Sequence, residues 1–164
     1  MRTAIYSLIV ENTSGVLSHI SGLFSRRGYN IDSFSAGVTA DDRFTRITIV
    51  SSGEDEILEQ IEKQLLKLED VTKVQELTAD NSVTRELILV KIRVNEHERA
   101  DILSVANIFR AKIVDVSNDS MIIELTGTQS KLDAFAGLIK KYEVLQVART
   151  GACGLVRGAM DGSL

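Results

Sequence analysis

Apolar and polar positions along the chain follow two rhythms, and the switches between them mark out strands and helices. Thr3 to Val10 is β-branched and aliphatic on both faces, which predicts a central strand covered from two sides. Glu11 to Gly15 interrupts it. Val16, Leu17, Ile20, Leu23 and Phe24 then recur at helical spacing and predict one apolar stripe facing a core, with Asn12, Thr13 and Ser14 as candidate capping side chains. Asn30 to Val38 predicts a strand, Ala40-Asp41-Asp42 a turn, and Arg43 to Val50 the second arm of a hairpin that ends at Ser51-Ser52-Gly53. From Glu54 the period returns to helical: Ile57, Leu58, Ile61, Leu65 and Leu68 share a face, while Glu54, Asp55 and Glu56 crowd the positive N-terminal end. Val71 to Leu77 closes the unit as a strand, and the order β-α-β-β-α-β specifies a ferredoxin-like split unit.

Thr78 to Ser82 is polar and aperiodic, so it is the expected boundary, and the same order of elements then repeats. Arg85 to Val94 predicts a strand, Glu98 to Phe109 a helix through Ile102, Leu103, Val105, Ala106 and Phe109, and Ala111 to Val116 a strand. After a turn at Asn118-Asp119, Ser120 to Thr126 is the second hairpin arm. Gln129 to Tyr142 is a helix with Leu132, Phe135, Ala136 and Ile139 on one face, and Val144 to Val147 is the last strand. The expected architecture is α+β, two ferredoxin-like βαββαβ domains in tandem: residues 1–78, and residues 79–164 with a glycine-rich tail. The openings recur after roughly 83 residues and the later helices after about 74, so the repeat is structural rather than literal. A split unit places both helices on one side of its sheet and leaves the other side for a second cover, such as another protomer.

The bulk chemistry narrows the function. A chain with 44% hydrophobic and 26% charged residues reads as a soluble globular protein, and a net charge of −4 argues against a surface that tracks phosphates. Nucleic acid is not an expected partner; an RNA-binding sheet would need stacking aromatics and a basic face, which the strands lack. The apolar run Ala4 to Val10 is too short to span a bilayer and has no cleavage pattern after it, so no membrane partner is expected and the cytoplasm is the default location. The lone Cys153 reads as a small apolar filler, in keeping with a reducing compartment.

Catalytic signatures are missing: there is no Walker loop, G-x-G-x-x-G, G-x-S-x-G or metal-ligand cluster, so neither catalytic residues nor a metal is expected. His19 and His97 read as surface histidines without a recognisable partner. Asp55, Glu56, Glu59 and Glu62 read as a solvated helix face, with Glu59 and Lys63 paired. The stretch from Ala148 to Gly158, with Arg149 and Arg157, reads as a flexible docking tail or turn in preference to an anion loop.

The stretch from Glu11 to Asp32 suits one ligand class. The leading N–H groups of a helix lack intrahelical acceptors and carry partial positive charge, so Gly15, Val16 and Leu17 offer a seat for a carboxylate. The Asn12 oxygen offers an acceptor for an ammonium, and Asn30 at the next strand adds an amide. A free amino acid presents these groups together. The same residues equally serve as plain caps and turn formers, and their chemistry alone leaves both readings open.

The sequence Glu-Asn-Thr-Ser-Gly-Val-Leu-Ser-His-Ile-Ser-Gly-Leu-Phe at 11–24, followed by Arg-Arg-Gly-Tyr-Asn-Ile-Asp at 26–32, resembles the opening of an ACT domain of the regulatory small subunits of acetohydroxyacid synthase (acetolactate synthase). Glu86 to Ile92, Ile108 to Asp115, Glu124 to Phe135, Ala148 to Gly151 and Gly154 to Gly158 resemble that family's C-terminal domain. The resemblance implies a chain without an active site that binds a catalytic large subunit. Thiamine diphosphate, magnesium and usually FAD belong to that large subunit, and none of them to this chain. It implies activation of the large subunit, a homodimer through ACT domains, and feedback inhibition by valine in branched-chain amino-acid biosynthesis. Carried to matching positions, Asn12, Ser14, Gly15, Val16 and Leu17 would hold valine from one protomer, with Asn30 and Ile31 reaching it from the other. Thr13, Asp32 and Phe34 depart from the usual pattern and leave open which branched-chain amino acid binds best. The alternative is a stand-alone ACT-type amino-acid sensor acting on a partner that is not an enzyme.

Overall fold

Alternation along the first strand places Ala4, Tyr6, Leu8 and Val10 on one face and Ile5, Ser7 and Ile9 on the other, and both sets are largely buried. The computed structural model describes residues 1–159. Its first six elements are β1 (Arg2–Glu11), α1 (Val16–Arg27), β2 (Ser33–Val38), β3 (Phe44–Gly53), α2 (Asp55–Leu65) and β4 (Val71–Leu77). The strands form an antiparallel sheet in the order β2-β3-β1-β4. Tyr6, Leu8, Ile47 and Ile49 on its inner face meet Ile20 and Phe24 of α1 and Leu58 and Ile61 of α2 in one core. Each such side chain contributes about 1.5–3 kcal/mol on burial. The Tyr6 hydroxyl donates to the Leu58 carbonyl at 2.8 Å, and burial raises its pKa above the ordinary tyrosine value.

The hairpin turn between β2 and β3 is held by charge. The Arg43 guanidinium reaches Asp41 through Nε at 2.9 Å and Nη2 at 2.5 Å, and the Arg43 N–H donates to the same carboxylate at 3.1 Å. These hydrogen bonds, the side-chain ones first, lower the Asp41 pKa to about 2.

The second six elements are β5 (Ser82–Arg93), α3 (Glu96–Phe109), β6 (Lys112–Val116), β7 (Ser120–Gly127), α4 (Gln129–Ile139) and β8 (Glu143–Arg149). Their sheet runs β6-β7-β5-β8. Its own core joins Val90, Ile92 and Ile123 to Ile102, Leu132 and Phe135. Asn95 and Glu98 form a reciprocal capping box at the start of α3, a signal the apolar spacing does not reveal. Glu86, 6% exposed, accepts from Arg149 Nε at 2.6 Å, and Arg149 Nη1 donates to Asp133 at 2.8 Å. Arg149 thus serves carboxylates of its own chain rather than an anion loop.

Both expected βαββαβ orders are present. The chain nevertheless divides differently from the expected 1–78 and 79–164, into Met1–Thr84 with the segment from Gly151, and Arg85–Thr150. The polar stretch at 78–82 is a reverse turn inside the first unit: the Thr78 N–H donates to Asn81 Oδ1 at 2.8 Å, and Asn81 Nδ2 donates to the Glu76 carbonyl at 3.1 Å. The expected flexible tail instead contains a strand, β9 (Cys153–Val156), which pairs with the start of β5 and lies against β3 and β4. Its place is the outer face of the first sheet, since a side chain at Gly154 would meet Leu77, the residue opposite Ile5. The face expected to await another protomer is therefore covered in part by the chain itself. Residues 160–164, the end of the expected second domain, lie outside the described residues.

Several apolar positions depart from the expected stripes. Leu17 is 52% exposed, Ile57 41% and Leu103 42%. Leu17 and Ile57 sit in the first turns of their helices, where a period continues whether or not a neighbouring element reaches that far. Leu103 is rotated about 100° from the buried Ile102, beyond the edge of the packed face. Cys153 is exposed rather than an apolar filler, because it lies in β9 on the outside of the sheet. Among the described residues no helix is long and apolar enough to cross a membrane.

Two predictions follow from these contacts. Arg149→Ala leaves a buried carboxylate without its cation, and at fixed protein concentration urea unfolding will show a loss of roughly 2 kcal/mol. For Asp41, a pKa depressed in the folded state means that its stabilisation is present above the unfolded value, about 3.9, and disappears as pH falls towards 2. Carboxyl NMR titration will place Asp41 near 2 in the unaltered chain and in the ordinary range in Arg43→Gln.

Candidate functional site

The first half of the candidate set sits where β1 ends and α1 begins. Glu11 hands the chain into a turn whose last residue, Gly15, has φ 93° and is the N-cap of α1. That left-handed conformation suits glycine, and a Cβ added there would meet nothing within 4 Å. No side chain caps the helix, so the expected capping role of Asn12, Thr13 and Ser14 is corrected. The leading N–H groups at Val16 and Leu17 keep their donor capacity, in an environment with no acidic residue in the first turn. Val16 is buried and anchors the turn in the core, whereas Leu17 and Ser14 face outward.

Asn12 bridges this turn to the hairpin instead of capping. Its N–H donates to the Arg43 carbonyl at 2.8 Å, its Nδ2 donates to the Asp42 carbonyl at 2.9 Å, and its Oδ1 accepts from the Thr45 hydroxyl at 3.2 Å. An amide oxygen with one hydrogen bond has a lone pair left for a second donor. His19, one turn into α1, donates from Nδ1 to Asp70 at 2.6 Å, and the Glu11 N–H donates to the Asp70 carbonyl at 2.9 Å. The histidine expected to lack a partner therefore has one, and it fastens α1 to the loop before β4.

The second half lies in the loop between α1 and β2. The expected strand at 30–38 begins only at Ser33, and Asn30 and Ile31 precede it. The Asn30 carbonyl accepts from the Ser51 hydroxyl at 2.6 Å, its Nδ2 donates to Asp32, and the Asp32 N–H donates to the Val50 carbonyl at 2.8 Å. Ile31 is half-buried against the first core. The loop is thus pinned to the far end of β3.

The pairing register decides how these halves relate. Glu11 lies opposite Phe44, while Ser33 lies opposite Val50. Asn12 bonds Thr45 and Asn30 bonds Ser51, and six residues of extended strand between those anchors span about 20 Å. Within one chain, Asn12, Ser14, Gly15, Val16 and Leu17 stand together, and Asn30 and Ile31 stand apart from them. A groove of about 450 Å³ lined by Ser35, Gly37, Arg46, Thr48, Cys153 and Leu155 lies on the outer sheet face and includes none of the seven. Among the described residues no group of three or more His, Cys, Asp or Glu side chains is arranged to hold a metal ion.

Beyond the seven candidates, the residues that fasten these two groups were not legible as such: Asp42, Thr45 and Asp70 on one side, Ser51 and Val50 on the other. Each acts from 18 to 59 residues away in the chain. The Ala40-Asp41-Asp42 turn and the hairpin arm ending at Ser51-Ser52-Gly53 were the local signals nearest to them, and Asp70 had none.

Comparison with known proteins agrees with this architecture in both halves. The family described as "AHAS small subunit-like ACT domain" matches residues 6–73, and that described as "Small subunit of acetolactate synthase" matches residues 85–158. The chain is 47% identical to the probable acetolactate synthase small subunit of Archaeoglobus fulgidus over 152 residues, 93% of this chain and 95% of that one. It is 45% identical to the acetolactate synthase isozyme 3 small subunit of Escherichia coli over 155 residues, 94% of this chain and 95% of that one. The crystal structure of the acetolactate synthase small subunit from Thermotoga maritima superimposes with a TM-score of 0.87 at 39% identity, covering 96% of this chain and 99% of the other. The chain belongs to the family of acetolactate synthase small subunits, a regulatory rather than a catalytic family.

Proposed function

We propose that this chain activates the acetolactate synthase catalytic subunit and makes it subject to feedback inhibition by valine, which binds between the ACT domains of two protomers. The separation of about 20 Å between the half-sites, set by strand spacing, is the observation that carries the reading. Gly15, Val16 and Leu17 would receive the valine carboxylate on main-chain N–H groups. Asn12 would accept from the ammonium, exposed Leu17 would meet the apolar side chain, and Ser14 would line the turn. Asn30 and Ile31 of a second copy would close the other side.

The topology supplies a way to bring the halves together. β2 is at the end of the sheet order, and its outer edge offers backbone donors and acceptors to another strand. Ala36, Gly37 and Val38 on it are exposed, and the first two are small enough for close approach. Antiparallel pairing of β2 with β2 of a second copy places the Ser33 end of one beside the Val38 end of the other. The loop at Asn30 and Ile31 then approaches the turn at Asn12 to Leu17, twice per dimer. Such an arrangement leaves the tail-covered outer face undisturbed.

A ligand shared by two protomers ties its own affinity to their relative placement, and it controls a bound enzyme only by favouring one arrangement over another. Ordinary couplings of about 1–3 kcal/mol change activity by roughly 5–150-fold. Thiamine diphosphate, magnesium and FAD would reside on the catalytic subunit, and the acetolactate chemistry with them.

Mixing the chain with its catalytic subunit while following acetolactate tests the reading. Stimulation by the chain and suppression on adding valine are expected; no response to either refutes it. Gly15→Asp is expected to abolish valine binding in calorimetry while the chain stays folded, with an unfolding midpoint lowered only by the backbone strain of a side chain at φ 93°. Its side chain meets open space, so it adds bulk and negative charge where the ligand carboxylate would sit without disturbing the core.

A further inference from the structure

We infer that Gly151 and Ser33 are positioning residues of the effector site, the contact through which the C-terminal segment sets the place of Asn30 and Ile31; this rests on the effector reading above. Gly151 begins the segment that returns to the first unit ahead of β9. Its φ is 80°, and a Cβ built on it would lie 2.6 Å from Ser33 Cβ and 2.7 Å from Ser33 Oγ. Real Cβ atoms do not come so close, so the main chain of the segment rests directly on the first residue of β2. The Ser33 hydroxyl is buried beneath it without a hydrogen-bond partner, which marks this contact as tightly closed.

The effect of that contact is directional. On its other side Ser33 pairs with Val50 of β3, and Asp32 and Asn30 are bonded to Val50 and Ser51. Ser33 is therefore held between β3 and the returning segment, two residues from Ile31. A few steps along, Gly154 fits the same way against the Val83 carbonyl and Leu77, where a Cβ would approach to 2.8 and 2.9 Å. The segment is consequently seated at two points, and any displacement at Gly151 is delivered to the start of β2 instead of being absorbed by sliding.

The test uses the full chain with Gly151→Ala, Ser33→Gly and the double variant, together with Ser33→Thr, which crowds the same contact without altering residue 151. Two-dimensional NMR reads the Asn30, Ile31 and Asp32 amides, and calorimetry reads valine. In Gly151→Ala and Ser33→Thr the amides shift and valine affinity falls by roughly 5–150-fold, the usual range for coupled positions. Stimulation of the catalytic subunit without valine persists. The double variant keeps the backbone strain at residue 151 but loses the clash, and it recovers most of both signals. Unmoved amides in folded Gly151→Ala and Ser33→Thr, or a double variant no better than Gly151→Ala, overturn the inference. Failure of the unaltered chain to bind valine refutes the effector reading itself, and with it the role in the effector site, even where the amide shifts appear as expected.

Discussion

A strand with apolar side chains on both faces is stable only between two layers, and β1 is such a strand. On one side Tyr6 and Leu8 meet the helices; on the other Ser7 and Ile9 are as deeply buried. The βαββαβ order supplies only the first layer, because its crossovers place both helices on the same side. The second layer has to come from elsewhere, and part of it comes from the chain's own C-terminal segment, with β9 against β3 and β4. That requirement explains why glycines recur in the segment: at Gly154 a side chain would collide with the backbone it must approach.

With the outer face used in this way, the edge at β2 is the surface through which the proposed dimer would form. The two requirements are compatible, since edge pairing needs backbone groups and face covering needs side chains. They also converge on one residue. Ser33 starts the edge strand, follows the loop that carries Asn30 and Ile31, and lies under Gly151. In the proposed dimer, the half of the site that carries Asn30 and Ile31 would be held from behind by a segment from the far end of the chain.

The half-site at Asn12 to Leu17 is organised by different means. Its glycine turn and uncapped helix leave donors exposed, and its rigidity comes from Asn12 on the hairpin and His19 on Asp70. Neither link involves the donors themselves. The turn is fastened while the hydrogen-bonding capacity of the helix start stays available, which is what the proposed carboxylate seat would need.

Local patterning carried much of this. The alternation in Thr3 to Val10, the helical stripes, the polar break before Gly15 and the order of elements follow from side-chain period and turn chemistry, and these act over a few residues. The resemblance in residues 11–32 rests on the same short stretch. Tertiary structure decided what depends on register and long-range approach: that Asn12 bonds the hairpin rather than capping, that Leu17, Ile57 and Leu103 stay exposed, and that His19 finds Asp70. It also decided that the glycine-rich tail is a strand on the first unit, and that Asn30 lies a strand's length from Gly15. A period states which face a residue occupies on its own element. What covers that face depends on pairings between residues many positions apart, and no local pattern encodes them.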